Sequence, residues 1–191
     1  MGSATFAYNI VGGNTIYVVF TDSGSASSCT TPSISDTFGD TFSKTASSCN
    51  VNSGKFNYGA IWKASVTETG IDTVDVTANS ITGGVLGIME VVGTITSTST
   101  SSSSGSSSTT PGTYSLSGIT GFSGNGVLIG GVSETGGGAC CTANTGWDSY
   151  GTGNWAIGYS GYPSNTAEFK MTSATGGVTG WVALGVSLHT T

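Results

Sequence analysis

Five aromatic residues gather late in the chain: Trp147, Tyr150, Trp155, Tyr159 and Tyr162, with Asn144, Asp148 and Asn154 among them. Flat apolar rings beside fixed amide and carboxylate groups suit the CH face and the hydroxyl edge of a sugar. Trp147, Tyr150, Asp148, Asn144, Trp155 and Tyr162 are therefore the candidate ligand-binding residues, and a glycan or cell surface is the candidate partner. Trp147 and Tyr150 fall in a Gly-rich stretch, Thr135 to Gly153, that reads as a loop, which favours exposure. Trp155, Ile157 and Tyr159 alternate as one face of a strand, so they compete as core residues, as Trp62 and Trp181 do.

Catalysis has less to stand on. Glycoside hydrolysis needs two carboxylates at a set separation. Asp36, Asp40, Glu68, Asp72, Asp75, Glu90, Glu134, Asp148 and Glu168 are candidates, but most fall at turns or strand edges, where a solvated carboxylate is expected. Glu90 stands out among apolar neighbours. It is either a buried acid with a raised pKa or, the stronger expectation, a structural carboxylate that caps backbone amides. The one histidine, His189, lies near the end of the sequence, without a nucleophile elbow to partner it. Gly136 to Gly138 lack the following helix and lysine of a phosphate-binding loop. No Asp-x-Asp-x-Asp-Gly loop is present, so calcium is left unassigned and no cofactor is expected. The chain reads as non-enzymatic.

Composition narrows the partners further. Charged residues make up 7% of the 191, the only cations besides the chain start being Lys44, Lys55, Lys63 and Lys170, and the net charge is −6. Nucleic-acid binding needs a basic face that releases counterions from phosphates, and this chain has none. The charge also argues against anionic membranes, and no apolar run is long enough for a membrane-spanning helix. Ser and Thr supply about a third of the residues, far above average usage. Such a surface, with four cysteines, fits an extracellular or cell-surface location. Cys29–Cys49 plus a vicinal Cys140–Cys141 bridge is the first choice of pairing; cross-pairing and free thiols stay open. Zinc is disfavoured by the absence of Cys-x-x-Cys. Met1-Gly-Ser-Ala leads straight into a strand pattern, without the positive and apolar regions of a signal peptide.

These residues need strands to hold them, and the chain offers little else. Apolar alternation or β-branched runs mark Thr5 to Ile10, Thr15 to Phe20, Ser33 to Asp36, Thr41 to Thr45, Tyr58 to Ala64 and Thr73 to Ala78. Gly83 to Gly93 is the most continuous apolar run, broken only by Glu90, and predicts a buried central strand. Further strands are expected at Thr113 to Leu116, Val127 to Val132, Trp155 to Tyr159, Ala167 to Met171 and Trp181 to Leu188. Between them Thr96 to Thr110 is nearly pure Ser and Thr. It is read as a surface strand and loop rather than a linker, because neither half alone would bury enough apolar area. The expectation is one all-β domain, residues 1–191, built as an antiparallel two-sheet β-sandwich.

The progression Phe6-Ala-Tyr-Asn-Ile-Val-Gly-Gly-Asn-Thr-Ile-Tyr-Val-Val-Phe, Ser33-Ile-Ser-Asp-Thr-Phe-Gly-Asp-Thr-Phe, Tyr58-Gly-Ala-Ile-Trp-Lys-Ala, Asp72-Thr-Val-Asp-Val-Thr, Val85-Leu-Gly-Ile-Met-Glu-Val-Val-Gly and Trp181-Val-Ala-Leu-Gly-Val resembles a loose family of secreted jelly-roll, lectin-like β-sandwich modules. Members occur in bacterial and archaeal surface proteins, phage structural proteins and appendages of polysaccharide-degrading enzymes. The resemblance spans nearly the whole chain through strand patterns rather than catalytic signatures. Where the family often has an aromatic residue after the glutamate, this chain has Val91, and the cysteines are outside the shared pattern. The resemblance implies a jelly-roll-like sandwich that works by display and contact. Glycan or surface binding is the first reading. The alternatives are an accessory module of a polysaccharide-degrading enzyme and a filament subunit that donates its N-terminal strand, Ala4 to Ile10, to the next copy.

Overall fold

A computed structural model describes residues 1–79, 81–105, 113–116, 126–136, 142–143, 148–152, 155–162, 169–172 and 179–191. For 81, 82, 113–116, 142, 143, 148–152, 155, 156, 158–162 and 169–172 it describes the backbone alone. Among these residues no helix occurs, and there are fifteen strands. The first seven are β1 (Gly2–Thr5), β2 (Thr15–Gly24), β3 (Ser33–Asp36), β4 (Ser43–Asn52), β5 (Lys55–Ser65), β6 (Thr73–Thr77) and β7 (Ile81–Val91). Then come β8 (Ile95–Gly105), β9 (Thr113–Leu116), β10 (Gly126–Thr135), β11 (Thr142–Ala143), β12 (Asp148–Thr152), β13 (Trp155–Tyr162), β14 (Phe169–Thr172) and β15 (Gly180–Thr190). They pair into four antiparallel sheets, ordered β1-β6-β3, β4-β5-β2-β7, β12-β13-β10-β15-β8 and β11-β14-β9.

The sheet β4-β5-β2-β7 is apolar on both faces, which explains why β2 is an almost unbroken apolar run rather than an alternating one. Ile16, Val18 and Phe20 join Phe6, Trp62, Val74 and Val76 in a core shared with β1-β6-β3. Tyr17 and Val19, on the opposite face, join Ile61, Ile129, Leu184 and Val186 in a core shared with the five-stranded sheet. The interior strands are thus β5 and β2, with β2 the central strand that joins β5 to β7. The run predicted to be central, β7, lies at the sheet's edge beside β2. Its apolar residues are divided between the two cores, Leu86 and Ile88 against one, Met89 and Val91 against the other. Two covered faces produce the same hydrophobic pattern as a central position.

The strand order repeats. The pair of sheets β1-β6-β3 and β4-β5-β2-β7 is matched, strand for strand, by β9-β14-β11 and β12-β13-β10-β15. Aligning the strands by pairing and by the face each residue presents sets Thr21-Asp22-Ser23 on β2 against Ser133-Glu134-Thr135 on β10, with Gly24 and Gly136 next in each chain. The same alignment sets Ala60-Ile61 on β5 against Ala156-Ile157 on β13. Among the described residues strand β8 has no counterpart in the first repeat. It carries the Ser/Thr tract and pairs along its length with β15.

The two repeats meet through large side chains set into glycine gaps. A Cβ on Gly59 would lie 2.3 Å from Leu184 Cδ2, and one on Gly87 would lie 2.2 Å from Ile157 Cδ1. A polar clasp closes one end of this seam. Ser133 Oγ donates to the Asp22 carbonyl at 2.7 Å and to Asn57 Oδ1 at 3.0 Å, while Asn57 Nδ2 donates to Thr135 Oγ1 at 3.1 Å. Within the first repeat a disulfide joins Cys29, in the loop after β2, to Cys49 on β4. The tight turn of the β4–β5 hairpin is Ser53-Gly54, both at positive φ (53° and 74°), the conformation a two-residue hairpin connection demands.

Two stability experiments follow. Gly59→Val should cost about 1–3 kcal/mol by overpacking the seam. Leu184→Ala should cost about 2–5 kcal/mol through the cavity it opens. The double variant should lose less than the sum in urea denaturation, and strict additivity would show that the two positions do not meet. Replacing Cys29 and Cys49 together by Ser should cost about 3 kcal/mol, as expected for a loop of this size, and reductant should then have no further effect on the first repeat.

Candidate functional site

At the end of the seam away from the clasp, an open cleft of about 700 Å³ is walled by four separate segments. Gly13–Thr15 enters β2, Thr41 and Ser43 enter β4, Lys63–Ser65 ends β5, and Gly93–Thr98 crosses from the first repeat into β8. Eight of its lining side chains are hydroxyls: Thr15, Thr41, Ser43, Ser65, Thr94, Thr96, Ser97 and Thr98. Each hydroxyl can both donate and accept. Lys63 is the cleft's only charged residue. Its wall is held from behind, as Thr96 Oγ1 lies 3.1 Å from His189 Nδ1 and 3.3 Å from the His189 carbonyl.

Asn14 anchors the cleft floor, and Glu90 fixes Asn14. Glu90 Oε1 accepts from the Val11 backbone N–H at 2.8 Å and from Asn14 Nδ2 at 2.7 Å. The sequence reading of Glu90 as a carboxylate that caps backbone amides matches this geometry. Because the amide nitrogen must face the carboxylate, Asn14 Oδ1 is turned the other way as an acceptor. The nearby Tyr8 hydroxyl titrates above its ordinary value, through burial first and the Glu90 charge second.

The aspartates around the β3–β4 connection brace loops. Asp72 Oδ1 accepts from Thr37 N at 3.2 Å and Thr37 Oγ1 at 2.7 Å, Asp40 Oδ1 accepts from Thr67 N at 3.0 Å and from Thr67 Oγ1, and Asp36 Oδ1 accepts from Asp40 N at 2.9 Å. Burial raises the Asp36 pKa, the Asp40 N–H opposes it, and the Asp72 and Asp40 charges reinforce it. This tie explains why Ser33-Ile-Ser-Asp-Thr-Phe-Gly-Asp is a compact unit in the sequence. Among the described residues, no three His, Cys, Asp or Glu side chains are grouped as metal ligands would be.

A second acid is deeper. Asp22, on the central strand, is 1% exposed, and its Oδ1 has no hydrogen-bond partner among the described residues. Burial pushes its carboxyl up to about 7. One transverse row across the sheet holds Gly84, Asp22, Tyr58 and Cys49. The Tyr58 hydroxyl is also without a partner and is pushed up to about 12, by burial first and the Asp22 charge second. A Cβ on Gly84 would lie 2.7 Å from the Thr21 carbonyl, so the row is closed on that side. Asp22 has the perturbed titration of a catalytic acid, but it is buried in the core and does not line the cleft.

The aromatic candidates are placed unevenly. Trp147 and Asn144, with Cys140 and Cys141, lie outside the described residues. Asp148 and Tyr150 were expected in a loop, but the backbone puts them on β12, opposite Tyr159 and Ile157 of β13. β12 and β13 pair antiparallel from Asp148–Tyr159 to Thr152–Trp155. Trp155 stands opposite Ser133 and Thr152, and Tyr162 opposite Gly126. The backbone thus gathers Asp148, Tyr150, Trp155 and Tyr162 on two adjacent strands. The N-terminal segment pairs with its own chain: β1 with β6, the Phe6 N–H with the Asp72 carbonyl, and Ile10 with Gly70. Sequence reasoning missed the cleft, because its hydroxyls come from ordinary turn positions in four distant segments.

In comparisons with known proteins, no family model, curated protein or solved structure matches the chain.

The Asp22 titration gives a pH test. A carboxyl whose folded pKa is raised binds a proton in the folded state that the unfolded chain has released, so stability falls as pH climbs from about 4 to about 7 and then levels off. The fall should be about 4 kcal/mol, the three-unit shift converted to free energy. Asp22→Asn should remove this slope and leave the variant more stable than the natural protein at pH 8. Urea midpoints measured across that range check it, and equal slopes in the two proteins would contradict a buried, unpartnered acid.

Proposed function

We propose that the protein is a non-catalytic, extracellular β-module that binds a glycan, on a cell surface or in a matrix, in the cleft between its repeats. The observation that carries this reading is the lining: eight hydroxyl side chains, an oriented amide and one lysine around about 700 Å³. A sugar presents a dense set of groups that donate and accept, and hydroxyl side chains with bridging water answer it without fixing one polarity. The single cation, Lys63, favours a saccharide that bears a carboxylate, such as a uronate. The Cys29–Cys49 bridge and the shortage of charge suit an oxidising exterior. Each repeat reads as a two-sheet, jelly-roll-like sandwich of four strands over three, supported by the core between β1-β6-β3 and β4-β5-β2-β7, and by the resemblance to secreted lectin-like modules.

A screen of neutral and uronate-containing oligosaccharides against the natural protein, Lys63→Ala and Trp147→Ala tests this reading. Lys63→Ala should weaken binding of a uronate ligand at least about tenfold, the effect of losing one charge-assisted contact, while Trp147→Ala retains it. Loss on Trp147→Ala alone would move the site to the aromatic strands β12 and β13. Failure of every saccharide to bind would overturn the glycan reading.

A further inference from the structure

The row that holds the buried acid ends at a disulfide. Gly84, Asp22, Tyr58 and Cys49 stand side by side on β7, β2, β5 and β4. Residues directly opposite one another share a face, and Tyr58 puts this one in the core that lies away from the second repeat. Asp22 and Tyr58 are 1% and 4% exposed, and neither Asp22 Oδ1 nor the Tyr58 hydroxyl has a hydrogen-bond partner among the described residues. Two orphaned polar groups in one row carry a cost that access to water would remove. The chain after β2 returns against this core as a strap, residues 25–31, with Ala26 and Cys29 packed on it. The strap is Ser-Ala-Ser-Ser-Cys-Thr-Thr, and Ser25, Ser27, Ser28 and Thr31 are exposed. A segment with so little buried apolar area has low local stability of its own. Three ties hold it: Pro32, buried at its end, Thr30 Oγ1, which donates to the Asn79 carbonyl at 3.1 Å, and the bridge from Cys29 to Cys49. Only the bridge acts at the row itself, since Cys49 stands opposite Tyr58 and Cys29 Sγ lies 3.5 Å from the Asn57 carbonyl.

We propose that the Cys29–Cys49 bridge is a redox latch: reduction by an external dithiol frees the strap and opens Asp22 and Tyr58 to water, and oxidation seals them again. In this step the protein's S–S bond breaks and the dithiol's own S–S bond forms, so two electrons and two protons pass from the dithiol to the two cysteine sulfurs. The opened acid then gives one further proton to solvent. While sealed, the Asp22 carboxyl is pushed up to about 7 by burial, with no neighbouring charge contributing. The groups around it add no charge that would compete: Gly84 has no side chain, and the strap has no ionisable side chain besides the bridged Cys29. The Tyr58 hydroxyl, pushed up to about 12 by burial and then by the Asp22 charge, stays neutral at ordinary pH. Opening returns the carboxyl toward its ordinary range, so the open form releases its proton at lower pH than the sealed one, and reduction becomes more favourable as pH rises. The latch does not depend on the cleft or on a glycan.

Equilibration with reduced and oxidised dithiothreitol between about pH 5.5 and 7.5, approached from both the oxidised and the reduced chain, tests the latch. Thiols remain largely protonated over this range, so the exchange itself contributes little pH dependence. Alkylation and mass spectrometry of the Cys29 and Cys49 peptides read their state separately from Cys140 and Cys141. The equilibrium constant for reduction should rise at least about tenfold across the range, as the return of one carboxyl to its ordinary pKa demands, and in Asp22→Asn it should stay flat. Amide hydrogen exchange at residues 25–31 should quicken on reduction, with β1 and β6 unchanged. A flat constant in the natural protein, a rise that survives in Asp22→Asn, or unchanged exchange at 25–31 would each overturn the proposal. If Asp22→Asn does not fold, the tyrosinate absorbance titration of the natural chain decides. One tyrosine should then titrate lower after reduction, and an unaltered profile would overturn the latch.

Discussion

Everything in this fold depends on one sheet, β4-β5-β2-β7, having to be apolar on both faces. A sheet covered on one side can alternate; a sheet covered on both cannot, so Ile16 to Phe20 is apolar without interruption. The same demand accounts for the glycines. Gly59 and Gly87 face the second repeat, where bulk is supplied by Leu184 and Ile157, and only a bare Cα lets the two layers close. Polar groups that do enter the layer are tied where the seam allows it. Asn57, Ser133 and Thr135 satisfy one another across the repeats, whereas Asp22 sits one residue away on the opposite face without a partner for Oδ1.

Much of the architecture was legible, because strand periodicity and glycine punctuation are local signals. β3, β6, β9, β10 and β15 fall close to where apolar alternation puts them, and the Ser/Thr tract does contain a surface strand. What failed were inferences about neighbours. Hydrophobicity reports how many faces of a strand are covered, not whether another strand lies beside it, so β7 read as central while standing at an edge. The internal repeat was hidden for a related reason. Val85-Leu-Gly-Ile and Ala183-Leu-Gly-Val invite direct alignment, yet matching them would put Leu86 against Leu184. Leu86 packs toward its own three-stranded sheet and Leu184 toward the other repeat. A one-residue slip exchanges the faces, and the true match is the less conspicuous Thr-Asp-Ser-Gly with Ser-Glu-Thr-Gly.

The candidate site divides in the same way. Aromatic clustering between Trp147 and Tyr162 is a signal sequence can carry, since the residues are near one another in the chain. The cleft is not. Asn14, Thr41, Lys63 and Thr94 become neighbours only when the crossover into β8 passes over the mouths of β2, β4 and β5. The one link that sequence did offer was Glu90, an acid in an apolar run, whose carboxylate holds the Val11 N–H and the Asn14 amide.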